Sequence, residues 1–486
     1  MKKSGVLLHI TSLPGCEEIG TLGKGAFRFV DFLSKAGAKI WQVLPIGPTG
    51  FAESPYQSTS TFAGNPMMID LETLYDQGLT DEKPYEAPHA DFIDFETARA
   101  RKDAALRRAY ACSGEKLRSQ VAAFEKENDW TSDYALFMAA KNYYHGMGWM
   151  AWPDEGLRLH RPEAVSVWRE KLADEVHYQL YLQYLFRVQW FMLKRYANEH
   201  GITLFGDMPI YVAEDSADTW SHPECFLLDE NRRPTLVAGV PPDYFSEDGQ
   251  LWGNPIYNWK AIKAGGYEWW LKRFACAGKL FDLVRVDHFI GFANYYTVKA
   301  GATTARNGKW VNNDGRALFR TVKKTLPDVH IAAENLGVLS ERVEKLLAYC
   351  GFPGMKVLQF SFGGDACDPA EYPENCICYT GTHDNPTTAA WWENGASEEE
   401  KNNVRKYLGA DADTDIVGTM IRAAYVSACD TTVVPMHDWL ALPAEYRMNA
   451  PGTVGGSNWR WRLRGSELTD ALAKKIRKLA EETGRL

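Results

Sequence analysis

The chain has 486 residues, 45% of them hydrophobic and 24% charged, which is enough to build a large core and excludes intrinsic disorder, collagen-like and coiled-coil architectures. Its formal net charge of −9, with no long basic run, argues against nucleic acid or another polyanion as partner. Nine cysteines, scattered from Cys16 to Cys429 without a C-x-x-C pair, fit neither a disulfide framework nor a thiolate metal site and point to a reducing, cytoplasmic setting.

In chain order, the opening MKKSGVLLHITSLPG has an apolar stretch shorter than a signal-peptide core. Short β-prone runs recur at 5–10 (GVLLHI), 39–46, 202–210, 283–289, 330–337, 354–360, 376–384 and 431–440. Helical patterns lie between most of them, such as AFRFVDFLSKAGA after the first and SERVEKLLAYCG after the fifth. Eight alternations with no G-x-G-x-x-G after the first strand predict a closed (β/α)8 barrel rather than a doubly wound open sheet. About 155 residues separate the second strand from the third and about 70 the third from the fourth, too many for simple βα loops. The expectation is one catalytic barrel unit over 1–486 with long, largely helical insertions near 66–200 and 211–280. The most apolar later segment, His177 to Tyr196, is interrupted by Gln179, Gln183, Arg187 and Gln189 and reads as a buried amphipathic helix, not a membrane span.

A barrel assembles its active site at the C-terminal ends of its strands, so polar residues there have a chemical reason to exist. In LVRVDHF the strand period of two puts Arg285 and Asp287 on one face, a guanidinium beside a carboxylate, as a glycosidic nucleophile requires. In IAAENLG, Glu334 follows two alanines in an otherwise apolar strand, surroundings that raise a carboxyl toward the range of a general acid. His383 and Asp384 cap the seventh strand. Each acid taken singly also fits a cap or an ion-pair partner; three on strands four, five and seven favour chemistry. Two carboxyls about 5 to 5.5 Å apart suffice for a retaining glycosidase. An amylase-like α-glucan hydrolase and a non-catalytic glucan-binding protein remain the alternatives to the activity that the following resemblance implies.

RVDHFIGF, AENLGV, GTHDNPTT, GDMPIYVAEDSADTW and GVPPDYFSEDGQLWGNPIYNW together resemble the 4-α-glucanotransferase family (amylomaltase, disproportionating enzyme; glycoside hydrolase family 77 of the α-amylase clan). The likeness runs from GVLLHITSLPG and SPYQSTSTFAGNP to PAEYRMNAPGT and SNWRWRL. It implies a retaining transferase acting on α-1,4-glucan, whether maltodextrin or starch- or glycogen-derived, with Asp287 as nucleophile, Glu334 as acid/base and Asp384 as transition-state stabiliser. It places Asp207, Arg285, His288 and His383 around the sugar at the cleaved bond. Asp243, Tyr244, Phe245, Gln250 and Trp252 fall on a loop over the acceptor side, and Ser54, Tyr56 and Asn458 on further sugar contacts. Asn335 stands where the family usually has Asp, Ile290 where Arg is common, and Asn312 to Gly315 replace a glycine-proline turn.

No nucleotide, phosphate-loop or flavin pattern occurs, so no cofactor is expected. His222 beside Glu224, and the pair Cys376 and Cys378, lack four ligands at zinc spacing, so no metal is expected either. Around Arg447, Trp459 and Arg462 the expectation is packing with charge-assisted hydrogen bonds. Neither a membrane nor a nucleic acid is an expected partner, and the sequence leaves the oligomeric state open.

Overall fold

Eight short segments rich in Val, Ile, Leu and Ala form one all-parallel sheet: β1 (Lys3–Leu7), β2 (Ile40–Gln42), β3 (Thr203–Met208), β4 (Leu283–Val286), β5 (Ile331–Ala333), β6 (Gly354–Val357), β7 (Cys376–Tyr379) and β8 (Thr431–Pro435). They are hydrogen-bonded in the order β6, β7, β8, β1, β2, β3, β4, β5. The amide of Ala333 in β5 donates to the carbonyl of Pro353, just before β6, at 2.9 Å and brings the two ends of the sheet together. This is the expected (β/α)8 barrel, and the eight strands lie where the sequence places them. The chain is a computed structural model that describes residues 2–242, 247–337, 339–409 and 414–486.

Alternation along the strands sorts side chains between two cores. Leu7, Ile40, Phe205, Ala332, Met355, Ile377 and Val433 pack together inside the barrel, whereas Val6, Trp41, Leu204, Val284 and Val434 join the larger cluster between strands and helices. Each fully buried Val or Leu contributes about 1.5–3 kcal/mol, so both layers hold the register of every strand. That register sets Asp207 directly opposite Arg285 and Arg285 opposite Ala332.

The first insertion holds the helices Phe95–Ala111, Glu115–Glu127, Trp130–Tyr143 and Ala173–Glu199. The last of these is the 27-residue helix whose polar interruptions the sequence shows. Two of them act as backbone clamps. Gln183 accepts from the Gly64 amide at 2.8 Å and donates to its carbonyl at 2.9 Å, and Gln189 does the same with Asp70 at 2.7 and 3.0 Å. Buried amides so satisfied cost little, whereas orphaned they would cost about 1–3 kcal/mol each. The approach is close enough that a Cβ on Gly64 would lie 2.0 Å from the Phe186 ring. These bonds pin segment 64–70 against the helix.

Beside the barrel lies a four-stranded antiparallel sheet, formed by Leu236–Val240, Gln250–Pro255, Asn294–Lys299 and Lys309–Asn312. Two of its strands come from the second insertion and two follow β4. The sequence reading does not pick it out, because its strands are short and partly exposed. Late in the chain, the buried Arg485 donates to the carbonyls of Ser427 and Cys429 at 2.9 Å and of Lys3 at 3.3 Å, tying β1 to the segment before β8. Among the described residues no helix is long and apolar enough to cross a membrane.

Candidate active site

Arg285 is the electrostatic centre of the barrel mouth. Its side chain is buried, and one amino group donates to both oxygens of Asp207 at 2.8 and 2.7 Å. The other lies 2.9 Å from Asp287 Oδ1. Asp207 also accepts the Tyr56 hydroxyl at 2.7 Å. Its side chain is fully buried and that of Asp287 about a quarter exposed, so the guanidinium joins an inner carboxylate to an outer, accessible one. Burial raises Asp207, and the Arg285 charge opposes that shift.

Glu334 is held by the turn that follows Asp287. The His288 amide donates to Oε2 at 2.8 Å and the Leu336 amide to Oε1 at 2.7 Å. The main chains are stitched as well, Glu334 to Val286 at 3.0 Å and Phe289 to Glu334 at 2.9 Å. His288 adopts φ 46°, a left-handed conformation uncommon for a residue with a side chain, which turns its amide toward that carboxyl. Glu334 is therefore placed by the backbone of the segment bearing Asp287. Burial pushes it up to about 7 from an ordinary 4.5, the Asp287 charge adding and Arg285 opposing. Two carboxyls thus share one rim, one beside a cation and the other able to hold a proton near neutrality.

Asp384 completes the rim. Its carboxylate, less than half exposed, accepts from Asn449 Nδ2 at 2.7 Å and lies 3.4 Å from His383 Nε2. Arg447 donates to its carbonyl, and Asn449 N donates to the His383 carbonyl at 3.0 Å. The Tyr56 ring stacks on His383 with centroids 5.1 Å apart and planes at 11°, so Tyr56 links this carboxylate to Asp207. Trp252 presents an edge-to-face contact to His288 at 4.9 Å, and its indole donates to Gln250 at 3.2 Å.

The structure therefore brings Tyr56, Asp207, Arg285, Asp287, His288, Glu334, His383 and Asp384 together, with Trp252 and Gln250 at the edge. Ser54 and Asn458 are engaged in their own loops. Ser54 Oγ accepts from the Tyr56 amide at 3.3 Å, and Asn458 holds Ala450 N at 3.0 Å and Thr453 Oγ1 at 3.0 Å. Asp243, Tyr244 and Phe245 lie outside the described residues. The sequence reading missed Asn449 as a carboxylate partner, although RMNAPGT stood out; it assigned Arg447 to charge-assisted packing, which its bond to the Asp384 carbonyl matches. The departures have structural settings: Asn335 Oδ1 accepts from Met355 N at 2.7 Å, between β5 and β6, and Ile290 is buried. Asp314 caps the helix Gly315–Thr325 and pairs with Lys263 at 2.8 Å. Among the described residues no cluster of His, Cys, Asp and Glu could hold a metal ion.

The family profile described as 4-alpha-glucanotransferase matches residues 8–469. A 4-alpha-glucanotransferase from Clostridium butyricum is 42% identical over 98% of this chain and 100% of its own. One from Thermus thermophilus is 44% identical over 99% of each. An amylomaltase from Streptococcus agalactiae, solved in complex with acarbose, superposes with a TM-score of 0.96 at 41% identity and complete coverage of both chains.

Proposed function

The chain belongs to the 4-alpha-glucanotransferase family, and from that premise we propose that its three rim carboxylates move α-1,4-glucan segments between maltodextrins by a retaining double displacement. The observation that carries this reading is the pair formed by Asp287, ion-paired to Arg285, and Glu334, raised to about 7.

In the first step an oxygen of Asp287 attacks the anomeric carbon, the glycosidic carbon–oxygen bond breaks, and the Glu334 proton goes to the departing O4. The donor's reducing-end fragment leaves, and its glucosyl part stays esterified to Asp287. In the second step Glu334, now a carboxylate, takes the proton of an acceptor 4-hydroxyl. That oxygen attacks the anomeric carbon and Asp287 departs, restoring both acids and forming one α-1,4 bond for the one broken. Arg285 spreads the negative charge of Asp287 toward Asp207, and Asp384, fixed by Asn449 and His383, faces the positive charge that develops on the sugar ring. An acceptor outcompetes water only when positioned, and the Trp252 face beside His288 suits the apolar face of a pyranose.

Incubating the purified chain with maltotriose alone tests the reading. Transfer yields glucose and a ladder of longer maltodextrins with almost no gain in total reducing ends. A steady gain with no elongation identifies a hydrolase and refutes it. We also place the protein in the cytoplasm, supported by nine cysteines that are all unpaired thiols.

A further inference from the structure

Asp384 sits on a loop, 380–387, that leaves β7 and enters the short helix Thr388–Ala390. The crest of this loop is shaped from within. Asn385 Oδ1 accepts from the amide and the hydroxyl of Thr382, both at 2.9 Å, and Thr382 Oγ1 accepts from the Asp384 amide at 3.2 Å. Gln359, just past β6, donates to the Pro386 carbonyl at 3.0 Å. The two ends of the loop are held by one residue from another strand.

That residue is Asp438, in the short helix Met436–Trp439 that follows β8, with a side chain only 1% exposed. Its Oδ2 accepts from Thr380 Oγ1 at 2.5 Å and from Thr388 Oγ1 at 2.8 Å, and its Oδ1 accepts from the Thr388 amide at 2.8 Å. Thr380 is the first residue past β7 and Thr388 the first of the next helix, so one carboxylate staples both ends of the loop to the end of β8. Sharing a single acceptor keeps the two hydroxyl oxygens within about 5 Å of each other. Both threonines are fully buried, which shields these bonds from water. No lysine or arginine pairs with Asp438 among the described residues, and His437 Nε2 stands 3.7 Å from Oδ1.

A carboxylate buried without a cationic partner is costly, and here its hydrogen bonds go to the one loop that carries His383 and Asp384. Asn449 and Arg447 hold the crest from the other side. We propose that Asp438 is a positioning residue for glucan transfer: it fixes both ends of the 380–388 segment so that Asp384 faces the anomeric carbon, and it does not touch the sugar. The proposal rests on the stabilising role given to Asp384 above. A displacement of about 1 Å in such a group costs on the order of 10²-fold in rate. Groups that bind the ground state stay in place, so the loss falls on kcat and not on KM.

Kinetics of the full chain test this. Asp438→Ala should lower kcat on maltotriose about thirtyfold or more, with KM within twofold of the parent. Asp438→Asn can still accept the Thr388 amide and donate to both threonine hydroxyls, and should recover at least tenfold of that loss. The deciding measurement uses α-maltosyl fluoride, whose fluoride departs without a proton, so that slow variants can be followed. Added to Asp384→Asn, Asp438→Ala should lower the residual rate less than threefold, because the group it positions is already gone. An equal fall with and without the Asp384 carboxylate marks general loosening and overturns the proposal. So does an Asp438→Asn rate no better than that of Asp438→Ala, which would assign the effect to charge. A kcat for Asp438→Ala within threefold of the parent, while Asp384→Asn is inactive, overturns the proposal and leaves the reading of Asp384 standing. Turnover by Asp384→Asn within tenfold of the parent removes that reading and the proposal with it. If Asp438→Ala does not fold, Thr380→Val, which deletes one hydroxyl at nearly the same volume, takes its place: kcat should fall at least fivefold, and an unchanged kcat overturns the proposal.

Discussion

Glu334→Gln should remove turnover and at the same time change how stability depends on pH. In the fold this carboxyl titrates at about 7 against 4.5 when unfolded, and the residue is only 8% exposed, so little solvent screening applies. At 1.36 kcal/mol per pH unit the difference is worth about 3 kcal/mol. The folded state binds the proton more tightly. The stabilisation is therefore fully present below pH 4.5 and is lost as pH rises through about 7. Glutamine does not titrate. Urea midpoints of parent and variant, measured from pH 4.5 to 8, should diverge by about 3 kcal/mol in the variant's favour as pH rises. In the parent, kcat/KM for maltotriose should fall as pH rises through about 7, because the acid loses its proton. A stability difference independent of pH, together with a rate that holds to pH 9, would refute the assignment of a protonated acid to Glu334.

Asp287→Asn should lower turnover by at least about 10^4-fold while leaving the thermal midpoint close to the parent's, since Arg285 keeps Asp207 as partner; activity within tenfold of the parent would rule it out as nucleophile. Tyr56→Phe deletes the bond to a buried carboxylate and should cost about 1.5–3 kcal/mol in urea unfolding, with the stacking on His383 retained. Asn449→Ala frees one oxygen of Asp384 and should reduce kcat about tenfold or more with a small change in KM, checked by initial rates on maltotriose. Trp252→Ala should raise the share of hydrolysis over transfer in the product mixture, read by chromatography of the sugars; an unchanged ratio would remove it from acceptor positioning.

The eight barrel strands were legible because strands buried on both faces read as continuous apolar runs bounded by turns. The side sheet was not, since LVAGV and QLWGNP are short, QLWGNP is partly exposed, and the second partner of LVAGV, Asn294–Lys299, comes from a segment beyond β4. Within the site, the period of two was enough to align Arg285 with Asp287, and two alanines before Glu334 foretold its burial. What no local pattern could give was the meeting of Tyr56 with Asp207, 151 positions apart, or the choice of Asn449 to hold Asp384. Those contacts depend on how the long helix Ala173–Glu199 pins segment 62–71 and how segment 447–459 folds back over the rim. Gln183 and Gln189, visible only as interruptions of an apolar helix, hold the pinned segment through paired backbone bonds.

The guanidinium of Arg485 reaches back across 482 positions to β1. On the ribosome β1 emerges first and waits, unclamped, until nearly everything described above has been translated. Until β8 emerges to pair with β1 the growing sheet has two bare edges, each able to recruit a foreign strand. Nascent copies of this chain should therefore lean on trigger-type or ATP-driven chaperones more heavily than a protein of equal mass built from sequentially closing domains.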